Sequence, residues 1–560
     1  MNTQKDMNER LEIIVLDSLA KVFADQRPGP GDLLKDASML RNEVFSFQAA
    51  VCWNDFLLKD VNVEIVSDLA AFCTIYSVGL VPSELPCYPD HDEDVLRATP
   101  GLYPDPLYKL GNDFRTDFLP AQWRSYWIEI DLKGCSGDLS GPKDLQIRFS
   151  SSAGVLLGSA KTEIRVINAF LPGQKLIYTD WLHADCISTY YEVEVWSERH
   201  WDLLGKYISE ACGHGMNMLL TPVFTPPLDT LPGGERPTVQ LVDVYRSKDG
   251  FRFGFDRLGR WFDLALSCGI CYFEISHLFT QWGAKHAPKI ICSEDGQPVQ
   301  IFGWDTDAAG KEYTCFLRSF LPALMAYIRS KGLEGRCFYH VSDEPCADHI
   351  DSYSAASSVI RELAGDAPVI DALSDLDFYS KDLIAKPIPA TDHIEPFLSA
   401  GIDDLWTYYC CGQYKGVSNR FFDMPSSRNR ILGLQLYKFN IEGFLHWGYN
   451  FWYTQFSARP VDPYKVTDAG YAFPSGDAFC VYPGENGPVP SLRLKVFREA
   501  LQDMQAAKLL ESLIGREKVL EIIEEHVDGK ISFDSYPRDA AWLLEVRERI
   551  NEEIGRTVRT

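Results

Sequence analysis

From residue 216 onward, short strand-like segments alternate with helical ones, and this alternation limits the possible fold more than any other feature of the chain. The strand-like segments are MNMLLTPVF (216–224), GICYFEISH (269–277), RCFYHVSDE (336–344), APVIDAL (367–373), KPIPATDHI (386–394), DLWTYYCC (404–411), IEGFLHWGYNF (441–451) and DAFCVYP (477–483). Helical spacing is found at 258–268, 316–331, 354–363, 426–439 and 492–513. Eight such alternations predict a (β/α)8 barrel rather than an open sheet. The close spacing within 367–394 leaves an irregular or incomplete barrel as the alternative.

The part of the chain before residue 196 has a different pattern. Apolar residues at helical spacing between 7 and 25 predict one amphipathic helix. From about 37 to 195, short strand-like runs separated by Gly, Pro, Asp and Ser predict an antiparallel β-sandwich. We therefore expect a multidomain chain of β and α/β parts. Its predicted domains are an N-terminal helix (1–30), a β-sandwich (31–195), a (β/α)8 barrel (196–515) and a C-terminal helical tail (516–560).

The segment 336–344 ends in two adjacent acids, Asp343 and Glu344, followed by Pro345. In a parallel α/β layer, chemistry takes place at the carboxyl ends of the strands. Neighbouring side chains on a regular strand point to opposite faces, so the pair can serve one site only if the chain bends there. Pro345 favours a bend because it restricts the backbone of Glu344. The alternative is the first turn of a helix, where acidic residues are favoured by the dipole.

Further polar and aromatic residues fall near the predicted strand ends. They are His277, Trp282, His340, Tyr408, Tyr409, Trp447, Asn450 and Trp452. An acidic pocket rich in aromatic rings suits a neutral, hydroxylated ligand, because rings stack on sugar C–H groups while carboxylates and amides bind hydroxyls. Core packing is the alternative for each aromatic residue. His340 either orients Asp343 or is a strand histidine with other partners.

Composition and absent motifs exclude several classes of protein. The net charge of −25, from 79 acidic and 54 basic residues, argues against binding nucleic acid or an anionic membrane. The sequence shows neither a phosphate-binding glycine motif nor a G-x-S-x-G or H-E-x-x-H motif. The 15 cysteines have no zinc-site spacing. We therefore predict acid–base chemistry without a metal or cofactor, which favours a glycosidase. The odd number of cysteines and an N-terminus without the apolar segment of a secretory signal predict a cytoplasmic location.

Several of these segments together resemble one known family. HVSDEP, FEISHLFTQWGAKHAPK, LWTYYCCGQ, GFLHWGYNFW and FCVYPGENGPVPSLRLKVFREALQDM are similar to glycoside hydrolase family 123 and its DUF4091-type relatives, over about 181–510. The resemblance implies a β-sandwich followed by a (β/α)8 barrel. One small departure is Ala478, where relatives often have a second glycine.

The resemblance also implies an activity. It implies a retaining exo-β-N-acetylgalactosaminidase that uses the 2-acetamido group of its substrate as the nucleophile. Asp343 would polarise the acetamide, Glu344 would be the general acid and base, and Tyr408 or Tyr409 would contact the acetamido oxygen. The implied partner is an oligosaccharide or glycoconjugate glycan, while the oligomeric state stays open. The alternatives are a glycosidase of another sugar specificity and a non-catalytic carbohydrate-binding protein.

Overall fold

The computed structural model describes residues 11–111, 115–135, 137–248 and 250–559, and these group into two compact units. The first unit runs to Gln174 and includes Lys415–Lys438 and the chain from Val489 onward. The second unit consists of Lys175–Tyr414 and Phe439–Pro488. The second unit therefore begins before the boundary predicted at residue 196, and the chain crosses between units more than once.

Two five-stranded sheets form the N-terminal β-rich region of the first unit. Their strands are β1 (Leu11–Leu16), β2 (Ser38–Arg41), β3 (Val44–Trp53), β4 (Leu58–Val66), β5 (Cys73–Ser83), β6 (Gly101–Lys109), β7 (Arg115–Phe118), β8 (Trp123–Asp131), β9 (Gly141–Ser150) and β10 (Leu156–Phe170). The strand orders are β1-β3-β8-β5-β6 and β2-β10-β9-β4-β7. Buried residues of both sheets, such as Phe47 and Ile128 from one and Ile147 and Ile164 from the other, form one hydrophobic core.

The predicted N-terminal helix is wrong for the residues that the structure describes. β1 is a strand that pairs antiparallel with β3, from Leu11 opposite Trp53 to Leu16 opposite Gln48. The run LEIIVL is rich in β-branched residues, which favour strands, and its backbone groups are satisfied by the sheet edge. Residues 1–10 of the predicted helix lie outside the described residues.

The second unit contains mostly short parallel strands with helices between them. The strands after β10 are β11 (Ile177–Asp180), β12 (Met218–Thr221), β13 (Asp243–Ser247), β14 (Gly250–Gly254), β15 (Tyr272–Ile275), β16 (Ile290–Glu294), β17 (Gln297–Phe302), β18 (Cys337–Tyr339), β19 (Ile370–Ala372), β20 (Lys386–Ile388), β21 (Trp406–Tyr408), β22 (Gly443–His446), β23 (Val481–Gly484) and β24 (Gly487–Pro490). The helices of the chain are α1 (Ala184–Tyr190), α2 (Glu198–Gly213), α3 (Asp256–Cys268), α4 (Lys311–Ser330), α5 (Ile350–Ala364), α6 (Asp377–Ser380), α7 (Glu395–Ser399), α8 (Ser426–Arg430), α9 (Leu432–Lys438), α10 (Leu492–Ile514), α11 (Arg516–Glu524) and α12 (Ala540–Arg559).

Parallel pairing links β11 to β22 and β22 to β21, β12 to β15 and β15 to β18, and β19 to β20. Parallel bridges at Tyr339–Val369 and Ala390–Tyr408 join neighbouring groups of strands. Between β11 and β12, Asn217 donates its backbone N–H to the carbonyl of Tyr178. The carboxyl ends of paired parallel strands lie at the same edge, so residues that follow these strands are brought together.

Seven of the eight predicted strand segments contain one of these parallel strands, but the eighth does not. Segment 477–483 ends in β23, which pairs with β24 in a separate two-stranded sheet. We expected segment 477–483 to lie beside β22. The strand that pairs with β22 there is β11, which the sequence analysis placed in the sandwich. The error follows from the domain boundary at 196, because a four-residue strand just before it could not be told from a sandwich strand.

Helices α11 and α12 form the C-terminal helical tail that the charged pattern predicted. Before the tail, α10 begins after Ser491, whose hydroxyl accepts a hydrogen bond from the backbone N–H of Leu494 at 3.1 Å. Such a cap satisfies one of the free N–H groups of the first turn. Among the described helices, none combines the length and the apolar character needed to cross a membrane.

Candidate active site

Asp343 and Glu344 follow β18, and the backbone turns sharply at the second of them. Glu344 has a φ of 44°, in the left-handed region that residues other than glycine seldom adopt. Neighbouring segments hold this turn: Glu344 donates its N–H to the carbonyl of Ala372, and Trp282 donates to the carbonyl of Asp343, both at 2.9 Å. The turn supplies the bend that an adjacent acid pair needs in order to share a site. Strained backbone held by its surroundings is common at functional sites.

The two carboxyl groups influence each other's ionisation. Burial raises the pKa of Asp343 well above its ordinary value, and the Glu344 charge raises it further, while His340 opposes both. Burial also raises the pKa of Glu344, against the lowering effect of a hydrogen bond from Tyr408. Interacting acids of this kind titrate as a pair and not as two independent groups. The arrangement therefore disfavours the state in which both carboxyl groups are ionised.

One oxygen of Glu344 is held by side chains from the end of β21. Tyr408 donates its hydroxyl to Glu344 Oε1 at 2.7 Å, and the Cys410 thiol donates to the same oxygen at 3.9 Å. Tyr408 is thus engaged with the second acid of the pair. Its contact with a substrate acetamide stays a prediction.

His340 lies in a buried cluster of charges next to the pair, but its partners are not Asp343. Its Nε2 lies 2.6 Å from Glu274 Oε1, and its Nδ1 lies 3.0 Å from Asp371 Oδ1. Burial disfavours the imidazolium, but the hydrogen bonds to Asp371 and Glu274 outweigh it and raise the pKa of His340 to about 10. His340 is therefore a buried cation between two carboxylates at neutral pH.

The same two carboxylates position the surrounding backbone and rings. Glu274 accepts hydrogen bonds from the Trp181 indole and the Thr179 hydroxyl, each at 2.7 Å. Asp371 accepts from the Tyr353 hydroxyl at 2.6 Å and from the backbone N–H of Val341 at 3.1 Å. Because Val341 lies two residues before Asp343, Asp371 holds the chain that leads into the acid pair.

His277 stacks on His340 with ring centroids 4.2 Å apart. Burial and the neighbouring His340 lower the pKa of His277 well below its ordinary value, so this ring is neutral. His277, His340 and Asp371 place possible metal-ligand atoms within 4.8 Å of one another. Both nitrogens of His340 are already paired with carboxylates, however, and its proton balances charge that a metal would otherwise supply. We therefore assign no metal to this cluster.

Trp447 lies on another side of the site and is partly exposed. Its indole donates to Asp477 Oδ2 at 3.0 Å, and its carbonyl lies 2.9 Å from His183 Nε2. The Asp477 charge contributes to the raised pKa of Glu344, after burial. Asn450 accepts from the His183 N–H at 2.8 Å and donates to the His183 carbonyl at 3.1 Å, so it holds the backbone of His183 in place.

The remaining predicted aromatic residues divide into two groups. Trp282 has 37% of its surface exposed, with its ring edge-on to Phe456 at 5.9 Å. Tyr409 is buried against Phe444, at 4.9 Å between ring centroids. Trp452 is buried too and donates its indole N–H to the carbonyl of Val481 at 3.3 Å. Trp282 and Trp447 are thus the predicted aromatic residues with surface available for a ligand, while Tyr409 and Trp452 are packing residues.

Sequence reasoning did not single out Glu274, Asp371 and Asp477. A signal was present for two of them, since Glu274 in FEIS and Asp371 in VIDAL are lone acids within otherwise apolar strands. A carboxylate in such a place is buried, and a buried carboxylate needs a partner. Asp477 precedes the misassigned strand β23 and gave no comparable signal.

Comparisons with known proteins agree with this geometry. The family model described as "Glycoside hydrolase 123, catalytic domain" matches residues 181–510. The fold is similar to a family 123 glycoside hydrolase from Clostridium perfringens studied for glycolipid glycan hydrolysis, with a TM-score of 0.75 and 15% identity over 98% of this chain and 99% of that one. A Parabacteroides merdae β-glucuronidase aligns at a TM-score of 0.30 and 9% identity, over 87% of this chain and 53% of that one, which is too low to support an argument. A search of curated proteins gives no match.

The family model covers more than half of the 560 residues and includes the acid pair, the His340 cluster and Trp447. At 15% identity, the Clostridium structure supports the shared fold alone. The chain therefore belongs to glycoside hydrolase family 123 and is a glycoside hydrolase that acts on a glycan.

Proposed function

We propose that the protein is a retaining exo-β-N-acetylgalactosaminidase that uses the 2-acetamido group of its substrate as the nucleophile. The sugar rests on the family resemblance. The route rests on one observation: the other acids around the pair are already engaged. Glu274 and Asp371 are both paired with His340, and Asp477 accepts a hydrogen bond from the Trp447 indole. An ordinary retaining glycosidase needs a second carboxylate about 5–5.5 Å from the acid, across the scissile bond. Adjacent acids on one strand end are poorly placed for that, so a nucleophile supplied by the substrate is favoured.

In the first step, Asp343 accepts a hydrogen bond from the acetamido N–H. That bond favours the ionised form of Asp343, which moves the pair's proton to Glu344. The acetamido oxygen attacks the anomeric carbon while Glu344 protonates the departing glycosidic oxygen. The Asp343 carboxylate then stabilises the positive charge of the oxazolinium intermediate.

In the second step, Glu344 acts as a base. It removes a proton from a water molecule, and the water oxygen bonds to the anomeric carbon as the bond to the acetamido oxygen breaks. Two inversions at this carbon give overall retention. The step leaves Glu344 protonated for the next cycle.

We infer that the parallel strands β11, β12, β15 and β18–β22 close into a (β/α)8 barrel preceded by a β-sandwich. What supports this is that each of these strands has a parallel pair, bridge or backbone hydrogen bond to a neighbour on both sides. A barrel of this kind would gather the acid pair, Tyr408 and Trp447 at its carboxyl-terminal face. The aromatic surfaces of Trp282 and Trp447 would then be available to stack on the sugar ring.

The proposal is tested by hydrolysis of three p-nitrophenyl β-glycosides, those of N-acetylgalactosamine, N-acetylglucosamine and galactose. We expect the N-acetylgalactosaminide to be hydrolysed fastest and the galactoside not at all, since it lacks the acetamido nucleophile. Hydrolysis of the galactoside at a similar rate would rule out substrate assistance, and Asp477 would become the first carboxylate to test as a protein nucleophile. Faster hydrolysis of the N-acetylglucosaminide would contradict the proposed sugar specificity but would remain consistent with the substrate-assisted mechanism.

A further inference from the structure

Two hydrogen-bond donors converge on one oxygen of Glu344. The Tyr408 hydroxyl donates to Oε1 at 2.7 Å, and the Cys410 thiol shares its one proton between this oxygen, at 3.9 Å, and Gln413 Oε1, at 3.3 Å. When a carboxyl group carries a proton, the oxygen with the proton is a donor and the other oxygen keeps its acceptor capacity. The two donors at Oε1, chiefly Tyr408, therefore distinguish the oxygens of Glu344, because they stabilise the form in which Oε1 is the acceptor. The Trp282 side chain also hydrogen-bonds Glu344.

Both donors are held in place by the backbone around β21. Tyr408 is buried, and its N–H and carbonyl are bonded to Pro389 and Thr391 at 3.1 and 2.9 Å. Cys410 is held by Gln413, whose Oε1 accepts from the Cys410 N–H at 2.9 Å and from its thiol at 3.3 Å. The side chain of Gln413 is itself fixed by a hydrogen bond to Asp392 at 3.0 Å. The donors are thus positioned before any substrate arrives.

We propose that Tyr408 and Cys410 are positioning residues that confine the acidic proton of Glu344 to Oε2, so that this oxygen delivers it to the departing group. The inference rests on the proposed function, because it assigns Glu344 the role of general acid. A proton confined to one oxygen is ready for transfer without rotation of the carboxyl group. The same donors favour the ionised form of Glu344 and so hold its pKa below the value that burial alone would give.

The test is the pH dependence of kcat/KM on p-nitrophenyl N-acetyl-β-galactosaminide for Tyr408→Phe, Cys410→Ala and Cys410→Ser. The alkaline limb reports loss of the acidic proton from the free enzyme. In Tyr408→Phe we expect this limb to move up by about one pH unit, the size of effect that one hydrogen bond to a charged group produces. Cys410→Ala should shift it less, in the same direction. Cys410→Ser keeps a donor and should leave it at or below the wild-type position.

The matched control is Tyr449→Phe, which removes a hydroxyl that donates to the carbonyl of Tyr207 and not to the acid pair. This variant should have the alkaline limb of its kcat/KM profile at the same pH as the wild type. Tyr408→Phe should also lose about tenfold more kcat/KM on phenyl than on nitrophenyl glycosides, since a poor leaving group needs the positioned proton. An unmoved or lowered limb in Tyr408→Phe, or an equal loss on both glycosides, would overturn the proposal.

A second readout does not depend on turnover. The carboxyl band of Glu344 can be titrated by infrared difference spectroscopy, with Glu344→Gln as the blank. We expect its pKa to rise in Tyr408→Phe and to stay at the wild-type value in Tyr449→Phe. If the wild type hydrolyses none of the glycosides, the proposed function fails, but the titration still decides whether Tyr408 acts on Glu344.

Discussion

Asp343 and Glu344 are adjacent in the sequence, yet different charges and hydrogen bonds surround their carboxyl groups. Asp343 responds most to burial and to its neighbour, while Glu344 also receives hydrogen bonds from Tyr408 and Cys410. The left-handed φ at Glu344 allows this difference, because it breaks the alternation of a regular strand. The sequence predicted the pair and the need for a bend. It could not predict which groups would hold each acid, since Tyr408 is 64 positions away from Glu344.

At the residue scale, we predict that Glu344→Gln slows hydrolysis in proportion to the need for a proton. For phenyl or disaccharide substrates, kcat/KM should fall by about 10²–10⁴-fold, the usual contribution of a general acid. For a dinitrophenyl glycoside, whose leaving group departs without protonation, the fall should be under about tenfold. The measurement is kcat/KM across leaving groups of increasing pKa.

The control for this series is Glu362→Gln, which changes an exposed carboxylate on α5 paired with Arg318. It should match the wild type on every substrate. A loss in Glu344→Gln that is the same for all leaving groups would contradict the acid role.

The neighbouring strands β21 and β22 make a close contact between a glycine and a tryptophan ring. Gly443 of β22 pairs with Trp406 of β21, and a Cβ at Gly443 would lie 1.9 Å from the Trp406 ring. The glycine therefore allows the indole to cover the neighbouring strand. The apolar runs predicted both segments, but the close contact follows from the parallel register and was not visible in the sequence.

Helix α4 is continuous although it contains a proline. The pattern between 316 and 331 predicted a helix, and the structure has one continuous helix, Lys311–Ser330, with Pro322 inside it. Pro322 has no N–H, so the carbonyl of Arg318 lacks its usual partner four residues along. Packing of the apolar face, which buries Phe316, Phe320 and Leu324, keeps the helix intact despite this loss.

We therefore predict that Pro322→Ala stabilises the protein, because Pro322 is exposed and its replacement restores a helix hydrogen bond. Helix propensity favours alanine by about 3 kcal/mol, and the greater freedom of the unfolded chain offsets roughly 1 kcal/mol of this. The thermal midpoint should rise by about 2–4 °C in calorimetry. Ser319→Ala, at an exposed position of the same helix, is the control and should change it by less than about 1 °C. A lowered midpoint in Pro322→Ala would show that the proline is required for packing.

The first unit contains a separate cluster of buried ionisable groups. In the first unit, Arg430 bonds Glu499 and Asp503, and Arg547 bonds Asp503 and Glu43. Arg430, Glu499, Arg547 and Glu43 line a cavity of about 480 Å³. Burial raises the pKa of Asp17, which lines the same cavity, to about 7, although the N–H of Leu19 and the charge of Arg430 oppose the shift.

The raised pKa of Asp17 makes stability depend on pH. Between about pH 4 and pH 7 the folded state keeps this proton while the unfolded state loses it, so stability falls as pH rises and is lowest above pH 7. Asp17→Asn keeps an acceptor for the Leu19 N–H but cannot ionise. We expect it to raise the thermal midpoint over the wild type by about 1–3 °C at pH 8 and by less at pH 5.

Asp60→Asn is the matched control, because Asp60 is an exposed carboxylate of the same unit. Its effect should be small at both pH values. The explanation for Asp17 would be wrong if the gain in Asp17→Asn were equal at pH 5 and pH 8. Glu499 faces the same cluster and has a similarly raised pKa of about 7, so part of the wild-type pH dependence should remain in the variant.

The sequence alone determined local features: the short strand that precedes Asp343 and Glu344, most of the alternating strands and helices, and motifs specific enough to indicate the family. These depend on side-chain periodicity and on residues close together in the chain. The tertiary structure decided which distant residues meet. His340 pairs with Glu274 and Asp371, 66 and 31 positions away, and β11 replaces the strand expected at 477–483. Such contacts depend on which strands are neighbours and on the register between them. They could not be predicted, because the sequence of one strand shows which of its faces is apolar but not which strand lies beside it.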